Sequence, residues 1–276
     1  MINKERALIS CLTEYGKVAI AFSGGVDSTY LLQVAKEVLG ENVIAITAVA
    51  PSFPESELAE AEEYCRQNGI KQFRVCPDVM NVDGFRDNPP NRCYICKKAI
   101  FTEIIACAKS QGVDIVIEGS NADDRGDYRP GIIAIKELGV RSPLQECELT
   151  KSEIRKLSAK RNLSTASKPS FACLATRFVY GEKITEEKLR KVEQSEELLK
   201  ALGFEQFRVR IHGNVARIEI LPSDINRFLD EDIRNKVYGS IKAYGFDYVA
   251  LDLGGYRTGS MNETLSLDII QKGKLC

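Results

Sequence analysis

Short apolar segments alternate with longer helical ones through the first 120 residues, and this alternation constrains the fold more than any other feature. The segments 17–22, 42–47 and 114–118 are each five or six residues long and largely apolar. Such segments are typical of parallel strands buried on both faces. Helical patterns at 27–39, 54–68 and 97–110, and a further short strand at 72–75, lie among them. We therefore predict an α/β fold with a doubly wound parallel sheet.

After about residue 170 the pattern changes to that of a smaller α+β unit. A helix is predicted over 185–202, and helical segments over 222–244 precede a strand over 247–253. Between them, segments 207–211 and 215–221 alternate in polarity around a glycine turn, which predicts a β-hairpin. We predict a first domain over 1–170, an interdomain loop over 171–181 and a second domain over 182–276 for substrate binding or oligomerisation.

The composition excludes several kinds of site. The only histidine, His212, rules out a metal site with two histidines and is itself expected to be a turn residue. The net charge of −1 argues against a constitutive nucleic-acid coat protein. No apolar segment approaches the roughly 20 residues of a membrane helix, and the first residues lack an apolar signal region. We expect a cytoplasmic protein that binds no membrane.

The loop between the first predicted strand and the next helix has the composition of a phosphate-binding site. Free N–H groups, glycines that allow close approach and the helix dipole favour an anion there. Asp27 would repel a phosphate unless a cation lay between them, which indicates Mg²⁺. The alternative is a tight turn capped by serines. The candidate nucleotide-binding residues are Ala21, Phe22, Ser23, Gly24, Gly25, Asp27 and Ser28.

A second polar segment follows the strand predicted at 114–118. Gly119, Asp123 and Asp124 lie there, at the end of the sheet that also carries the first loop. The two carboxylates are candidate ligands of Mg²⁺ on a pyrophosphate. A polar turn at the end of a strand is the alternative.

Three of the nine cysteines form a candidate metal site. Cys93 and Cys96 are three residues apart at the start of a predicted helix, and Cys173 lies in the predicted interdomain loop. Three thiolates without a nearby histidine suit an iron–sulfur cluster with one open iron, whereas zinc needs a fourth ligand. A redox-active pair and incidental helix cysteines remain alternatives.

Basic residues are concentrated in the second half. Residues 151–220 carry a local charge balance of +6, which either reflects solvated helix faces or marks an anion-binding surface. Arg208 and Arg210 lie on one face of a predicted strand, and Glu219 lies on the next. We predict that the two arginines bind the phosphate or carboxylate of an anionic substrate and that Glu219 belongs to the same substrate site; a surface charge ladder is the alternative.

The motif SGGVDS at 23–28 resembles the PP-loop of the ATP pyrophosphatase family. This resemblance implies an ATP-binding first domain and an adenylation that releases pyrophosphate. The segments 127–131, 170–181, 207–211, 216–219 and 251–257 resemble the LarE family, ATP-dependent sulfur transferases that build a nickel-pincer nucleotide cofactor. That resemblance adds Arg177 to the substrate-binding candidates and implies a pyridinium bis-carboxylate mononucleotide as substrate.

The LarE resemblance leaves the route of the sulfur open. One subfamily holds a [4Fe-4S] cluster on three cysteines and is more similar to this chain, which implies Cys93, Cys96 and Cys173 as ligands and sulfide or another sulfur donor. Another subfamily sacrifices its own cysteine, here Cys173. We name Cys173 and Asp27 as candidate catalytic residues and expect a homo-oligomer. A tRNA thiolase and a non-catalytic nucleotide-binding redox sensor are the competing functions.

Overall fold

The structure is a computed structural model that describes residues 1–125, 130–169, 173–257 and 259–265. These residues form two compact units. Unit 1 contains Met1–Val82 and the described part of Asn91–Phe171; unit 2 contains Asp83–Pro90 and the described part of Ala172–Ser266. Across these residues, no helix is both long and apolar enough to cross a membrane.

A four-stranded parallel sheet forms the centre of unit 1. Its strands are β1 (Val18–Ala21), β2 (Val43–Ala48), β3 (Lys71–Val75) and β4 (Val116–Ile117), in the order β3-β2-β1-β4. β1 and β2 are buried almost throughout, as expected of strands covered on both faces. The predicted doubly wound α/β sheet is confirmed, although β4 is shorter than predicted.

The sheet reverses its winding direction next to β1. β1 pairs with β2 on one side and with β4 on the other, and both pairings are parallel. The loops that follow β1 and β4 therefore leave the sheet at adjacent positions on the same edge. In open α/β sheets, ligands bind in the crevice at such a reversal point.

Helices surround this sheet, and α2 is the most deeply buried of those described. Tyr30, Leu31 and Leu32 of α2 are fully buried, and Gly40, with a φ of 59°, ends the helix because it accepts a left-handed conformation. The helices described in unit 1 are α1 (Ile2–Tyr15), α2 (Val26–Leu39), α3 (Glu55–Gln67), α4 (Arg92–Ser110), α5 (Gly131–Glu137), α6 (Pro143–Glu146) and α7 (Lys151–Lys160).

The sequence patterns above do not predict α5, α6 or α7. The start of α7 is nevertheless set by a local signal, the capping box formed by Thr150 and Glu153. The Thr150 hydroxyl accepts a hydrogen bond from the Glu153 N–H at 3.3 Å, and the Glu153 carboxylate accepts one from the Thr150 N–H at 3.0 Å. This reciprocal pair satisfies two N–H groups at the helix start and fixes Lys151 as its first residue.

Unit 2 contains a three-stranded sheet with two helices. The strands are β5 (Phe207–His212), β6 (Val215–Ile220) and β7 (Tyr248–Leu251), and the helices are α8 (Glu186–Ala201) and α9 (Glu231–Ala243). β5 and β6 form the predicted antiparallel hairpin, and β7 pairs with β6 in parallel. The predicted second, smaller sheet is therefore present.

The segment Asp83–Pro90 belongs to unit 2 although the residues on both sides of it belong to unit 1. Asn88 explains this placement. It is fully buried, its side-chain amide donates to the Val179 carbonyl at 2.7 Å, and its own carbonyl accepts from the Gly181 N–H at 3.0 Å. Its φ of 51° is in the left-handed region, which asparagine tolerates better than most residues.

Candidate functional site

The loop between β1 and α2 is built to expose backbone N–H groups. Gly24 has a φ of 71°, and a side chain there would place its Cβ 3.2 Å from the Cβ of Ala61. Gly25 precedes α2, and no side chain caps the first turn of that helix. The N–H groups at the start of α2 are therefore available to an anion.

The two serines of this loop contact each other, and Ser28 also contacts the carbonyl of the N-cap residue Gly25. The hydroxyls of Ser23 and Ser28 are 3.2 Å apart, and the Ser28 hydroxyl donates to the Gly25 carbonyl at 3.1 Å. Ser28 is buried. The hydroxyls fix the shape of the loop and leave its N–H groups open.

Asp27 faces Lys151 from the first turn of α2. Lys151 Nζ and Asp27 Oδ2 are 2.5 Å apart. The second carboxylate oxygen, Oδ1, is buried and has no donor within hydrogen-bond distance among the described residues, although the Asn121 side-chain amide lies near enough to the carboxylate to lower its pKa. Burial raises the pKa of Asp27, the Lys151 ammonium opposes this shift, and the negative charge of Asp124 adds to it. Asp27 thus has one oxygen on a cation and one oxygen open.

The loop after β4 packs directly against the start of α2. A Cβ on Gly119 would lie 3.0 Å from the backbone nitrogen of Ser28 and 3.2 Å from its Cα. Only glycine allows this approach without displacing backbone atoms. The structure therefore brings the two predicted segments of the nucleotide site together.

Both aspartates of this second loop accept hydrogen bonds from backbone N–H groups. Asp124 Oδ2 accepts the Asn121 N–H at 3.0 Å, and Asp123 Oδ2 accepts the Lys151 N–H at 2.8 Å. Asp124 is buried and lies close enough to Asp27 to affect its pKa. These bonds position the loop after β4 and the start of α7 relative to each other.

The cysteine pair lies on the first turn of α4. The helix begins at Arg92, so Cys93 and Cys96 are on its second and fifth residues; Cys93 is half-buried and Cys96 is buried. Cys173 belongs to unit 2, where its carbonyl accepts hydrogen bonds from Thr176 and Arg177. No group of three histidine, cysteine, aspartate or glutamate side chains that could hold a metal ion occurs among the described residues.

Two of the predicted arginines form buried ion pairs within unit 2. Arg177 is fully buried, and its Nη2 donates to Glu196 at 2.7 Å. Arg210 Nη2 lies 3.0 Å from Glu219, which is also fully buried. Glu219 has a second partner in Arg217 Nη2, at 3.0 Å. The Arg177–Glu196 pair holds the turn 174–177 to α8, and the Arg210–Glu219 pair holds β5 to β6. The Val209 N–H of β5 also donates to Glu196 at 2.9 Å.

Arg208 differs from the other two arginines. It is 5% exposed, and its guanidinium lies 5.2 Å from the centre of the Tyr256 ring. Burial, followed by the positive charge of Arg177, lowers the pKa of Arg208 to about 10. The guanidinium of Arg208 is thus in an environment that disfavours its positive charge and that an anion would improve.

A comparison with known proteins decides the family. The chain is 35% identical over 267 residues to the pyridinium-3,5-bisthiocarboxylic acid mononucleotide synthase of Lactiplantibacillus plantarum, with 96% of each chain covered. The chain belongs to this synthase family. The resemblance to the LarE family inferred from the sequence is thereby confirmed.

Other relatives place the synthase family in a wider context. The chain is 43% identical over 253 residues to an uncharacterized protein of Synechocystis, covering 92% of this chain and 94% of the relative. It is 25% identical over 158 residues to an argininosuccinate synthase of Haloarcula marismortui, covering 54% of this chain and 38% of the relative. The latter similarity agrees with a PP-loop fold. No model of a protein family matches the chain.

Sequence reasoning missed two lysines in this member of the synthase family. Lys151 contacts Asp27, and Lys168 Nζ lies 3.2 Å from the Gly24 carbonyl. Lys151 is the first residue of α7, a helix that the sequence patterns did not predict, and Lys168 follows that helix. The Thr150–Glu153 capping box is the signal that could have located Lys151, because it predicts where α7 begins.

Proposed function

We propose that the chain is an ATP-dependent sulfur transferase that converts a carboxylate of a pyridinium bis-carboxylate mononucleotide into a thiocarboxylate. The name of the relative that shares 35% identity over 96% of this chain supports this substrate. The observation that carries the proposal is the geometry at Asp27, where an open buried oxygen lies beside the uncapped start of α2.

Unit 1 is the proposed ATP-binding domain. The backbone N–H groups of 23–28 are proposed to donate hydrogen bonds to the phosphates, and Gly119 allows the second loop to approach the first. Asp27 is the proposed first ligand of Mg²⁺, since its Oδ1 needs a partner and carboxylate oxygens suit this ion. Asp123 and Asp124 are further proposed ligands of the same ion. Mg²⁺ would neutralise negative charge on the departing pyrophosphate.

The proposed reaction has two steps. A substrate carboxylate oxygen attacks the α-phosphorus of ATP, forming an acyl-adenylate while the bond to pyrophosphate breaks. A sulfur nucleophile then attacks the carboxyl carbon, and AMP leaves with the original oxygen. The protein's contribution is to hold the reacting groups in line and to screen their charge.

Unit 2 is the proposed substrate domain. We propose that Arg208 contacts the phosphate or the free carboxylate of the mononucleotide, because its environment favours an added negative charge. Arg177, Arg210 and Glu219 are proposed to support this site. The Arg210–Glu219 pair is consistent with holding β5 in place, and the Arg177–Glu196 pair with holding the turn 174–177 against α8.

The sulfur route is the least constrained part of the proposal. We propose that Cys93, Cys96 and Cys173 hold a [4Fe-4S] cluster that uses sulfide or another donor, with sacrifice of Cys173 as the alternative. The described residues contain no three-ligand metal group, so no step of the reaction is derived from a cluster. Iron content and the visible spectrum after anaerobic purification test the first route. The loss of H₂S mass from Cys173 after turnover tests the second.

We also propose that the protein is a cytoplasmic homo-oligomer. The main experiment incubates the purified protein with ATP, Mg²⁺, the mononucleotide and sulfide. We expect AMP, pyrophosphate and a thiocarboxylate product, each detectable by chromatography with mass spectrometry. Asp27→Asn should abolish AMP formation while leaving the fold intact. Asp114→Asn, which changes an exposed aspartate before β4, is the matched control. AMP formation with tRNA and none with the mononucleotide would instead support the tRNA thiolase alternative.

A further inference from the structure

Lys168 makes three contacts that link it to the phosphate-binding loop. Its Nζ lies 2.8 Å from Glu57 Oε2, 2.7 Å from Glu60 Oε2 and 3.2 Å from the carbonyl oxygen of Gly24. The side chain is only 13% exposed. An ammonium group has three N–H donors. All three have acceptors here, so Lys168 has no donor left for a phosphate.

The contact with Gly24 determines the orientation of one peptide group. The Gly24–Gly25 peptide is trans and planar, so its N–H points away from its carbonyl. With the carbonyl held by Lys168, the Gly25 N–H faces the opposite side. The side on which Lys168 lies also holds the carboxylates of Glu57 and Glu60 and therefore repels anions. The Gly25 N–H thus points away from Glu57 and Glu60, to the side of the loop where a phosphate would not be repelled.

The surroundings of Lys168 hold it in this position. Arg155 of α7 donates to the carbonyl of Lys168 at 2.7 Å and to that of Ala166 at 2.6 Å. Burial lowers the pKa of Lys168, but Glu57 and Glu60 outweigh this effect and the pKa is raised. Lys168 therefore stays charged and fixed to the same helix that carries Lys151.

We infer that Lys168 is a positioning residue for nucleotide binding: it orients the Gly24–Gly25 peptide toward the phosphates and neutralises Glu57 and Glu60 beside them. This inference rests on the proposed function, since it assumes that the loop binds ATP. Lys168 acts through the loop and does not contact the nucleotide. Its removal should therefore weaken phosphate binding in two ways, by releasing the peptide and by leaving two carboxylates uncompensated.

The test compares Lys168→Met with a matched control, Lys36→Met. Lys36 also contacts a glutamate and a glycine carbonyl, Glu41 at 2.6 Å and Gly69 at 3.3 Å, but away from the phosphate loop. We expect Lys168→Met to raise the Kd for MgATP by about ten- to a hundred-fold, the range that loss of a charged hydrogen bond implies. Lys36→Met should leave the Kd unchanged.

Further variants separate positioning from folding. Lys168→Arg should restore part of the affinity, because it keeps the charge. Adding Glu57→Gln and Glu60→Gln to Lys168→Met should also restore part of it, by removing the repulsion. Hydrogen exchange of the peptide containing Gly25, followed by mass spectrometry without nucleotide, should be faster in Lys168→Met than in Lys36→Met.

The outcomes are distinguishable. If the wild-type protein binds MgATP and Lys168→Met binds it equally well, the inference is wrong and the proposed function stands. If the wild-type protein does not bind MgATP, the proposed function is wrong and the inference falls with it. If Lys168→Met loses affinity and neither Lys168→Arg nor the triple variant regains any, the role is structural and the inference is also overturned.

Discussion

Gly119 gives the sharpest test of how the two loops of the nucleotide site fit together. In Gly119→Ala the new Cβ would lie 3.0 Å from the backbone nitrogen of Ser28, 3.2 Å from its Cα and 3.3 Å from the carbonyl carbon of Asp27. All three neighbours are backbone atoms in the first turn of α2, so no side chain can rotate away. Either the loop after β4 or the start of α2 has to move.

The expected cost follows from this geometry. Overpacking by one methyl group in a tight interior costs about 1–3 kcal/mol, and the displaced atoms include N–H groups proposed to bind phosphate. We expect Gly119→Ala to lower the free energy of unfolding by about that amount and to weaken MgATP binding as well. Urea denaturation and isothermal titration calorimetry measure the two effects.

Gly239→Ala is the matched control. Gly239 lies in α9, and apart from the adjacent residues and the backbone of its own helix, a Cβ there would meet no atom within 4 Å. Alanine is the better helix former, so this variant should raise the free energy of unfolding by roughly 0.5–1 kcal/mol and leave nucleotide binding unchanged. If Gly119→Ala is as stable as the wild type and binds MgATP equally well, the close packing of the two loops is not what shapes the site.

Three further predictions concern charge. Glu196→Gln should lower the free energy of unfolding by about 3–5 kcal/mol in urea denaturation, because it leaves Arg177 buried without its carboxylate partner. The control is Glu187→Gln, which changes an exposed glutamate paired with Lys191 and should have no measurable effect in the same assay. Equal free energies of unfolding for the two variants would contradict the reasoning. The hydrogen bond from the Thr150 backbone, and then that from Lys4, lowers the pKa of Glu153 from 4.5 to about 2. The ionised Glu153 carboxylate should therefore stabilise the fold fully above pH 4.5, and this stabilisation should be lost as the pH falls toward 2. The difference in free energy of unfolding between wild type and Glu153→Gln should shrink over that range. A constant difference would refute the lowered pKa of Glu153. Chelation of Mg²⁺ with EDTA should strongly weaken ATP binding in calorimetry, and undiminished binding would contradict the role proposed for Asp27.

The sequence predicts those parts of the site that depend on local patterns. The loop 23–28 follows a buried strand and begins a helix, and both elements are recognisable from a few neighbouring residues. Gly119 and Asp124 follow from the same argument, since the ends of parallel strands meet at one edge. In each case the loop residues lie within a few positions of the strand that predicts their location, so the pattern is local.

The parts that the sequence does not predict depend on tertiary contacts. Lys168 is 144 residues from Gly24, and the pairing of Arg177 with Glu196 depends on how α8 packs against the turn 174–177. The transfer of Asp83–Pro90 to unit 2 depends on the left-handed conformation of Asn88 and its bonds to residues some 90 positions away. No periodicity marks such contacts, so these roles emerge only from the structure.

The charges around the phosphate-binding loop explain why a divalent cation belongs in the proposed reaction. Four carboxylates, from Asp27, Asp124, Glu57 and Glu60, lie on or beside the loop, and Lys151 and Lys168 are the ammonium groups that contact three of them. Lys168 is fully used by its acceptors, and Lys151 already neutralises Asp27. Of the positive charges in these contacts, neither ammonium is left for a triphosphate, and the helix dipole contributes only about half a unit charge. Mg²⁺ on the open oxygen of Asp27 would supply what the loop lacks, and it would release Lys151 to interact with the phosphates.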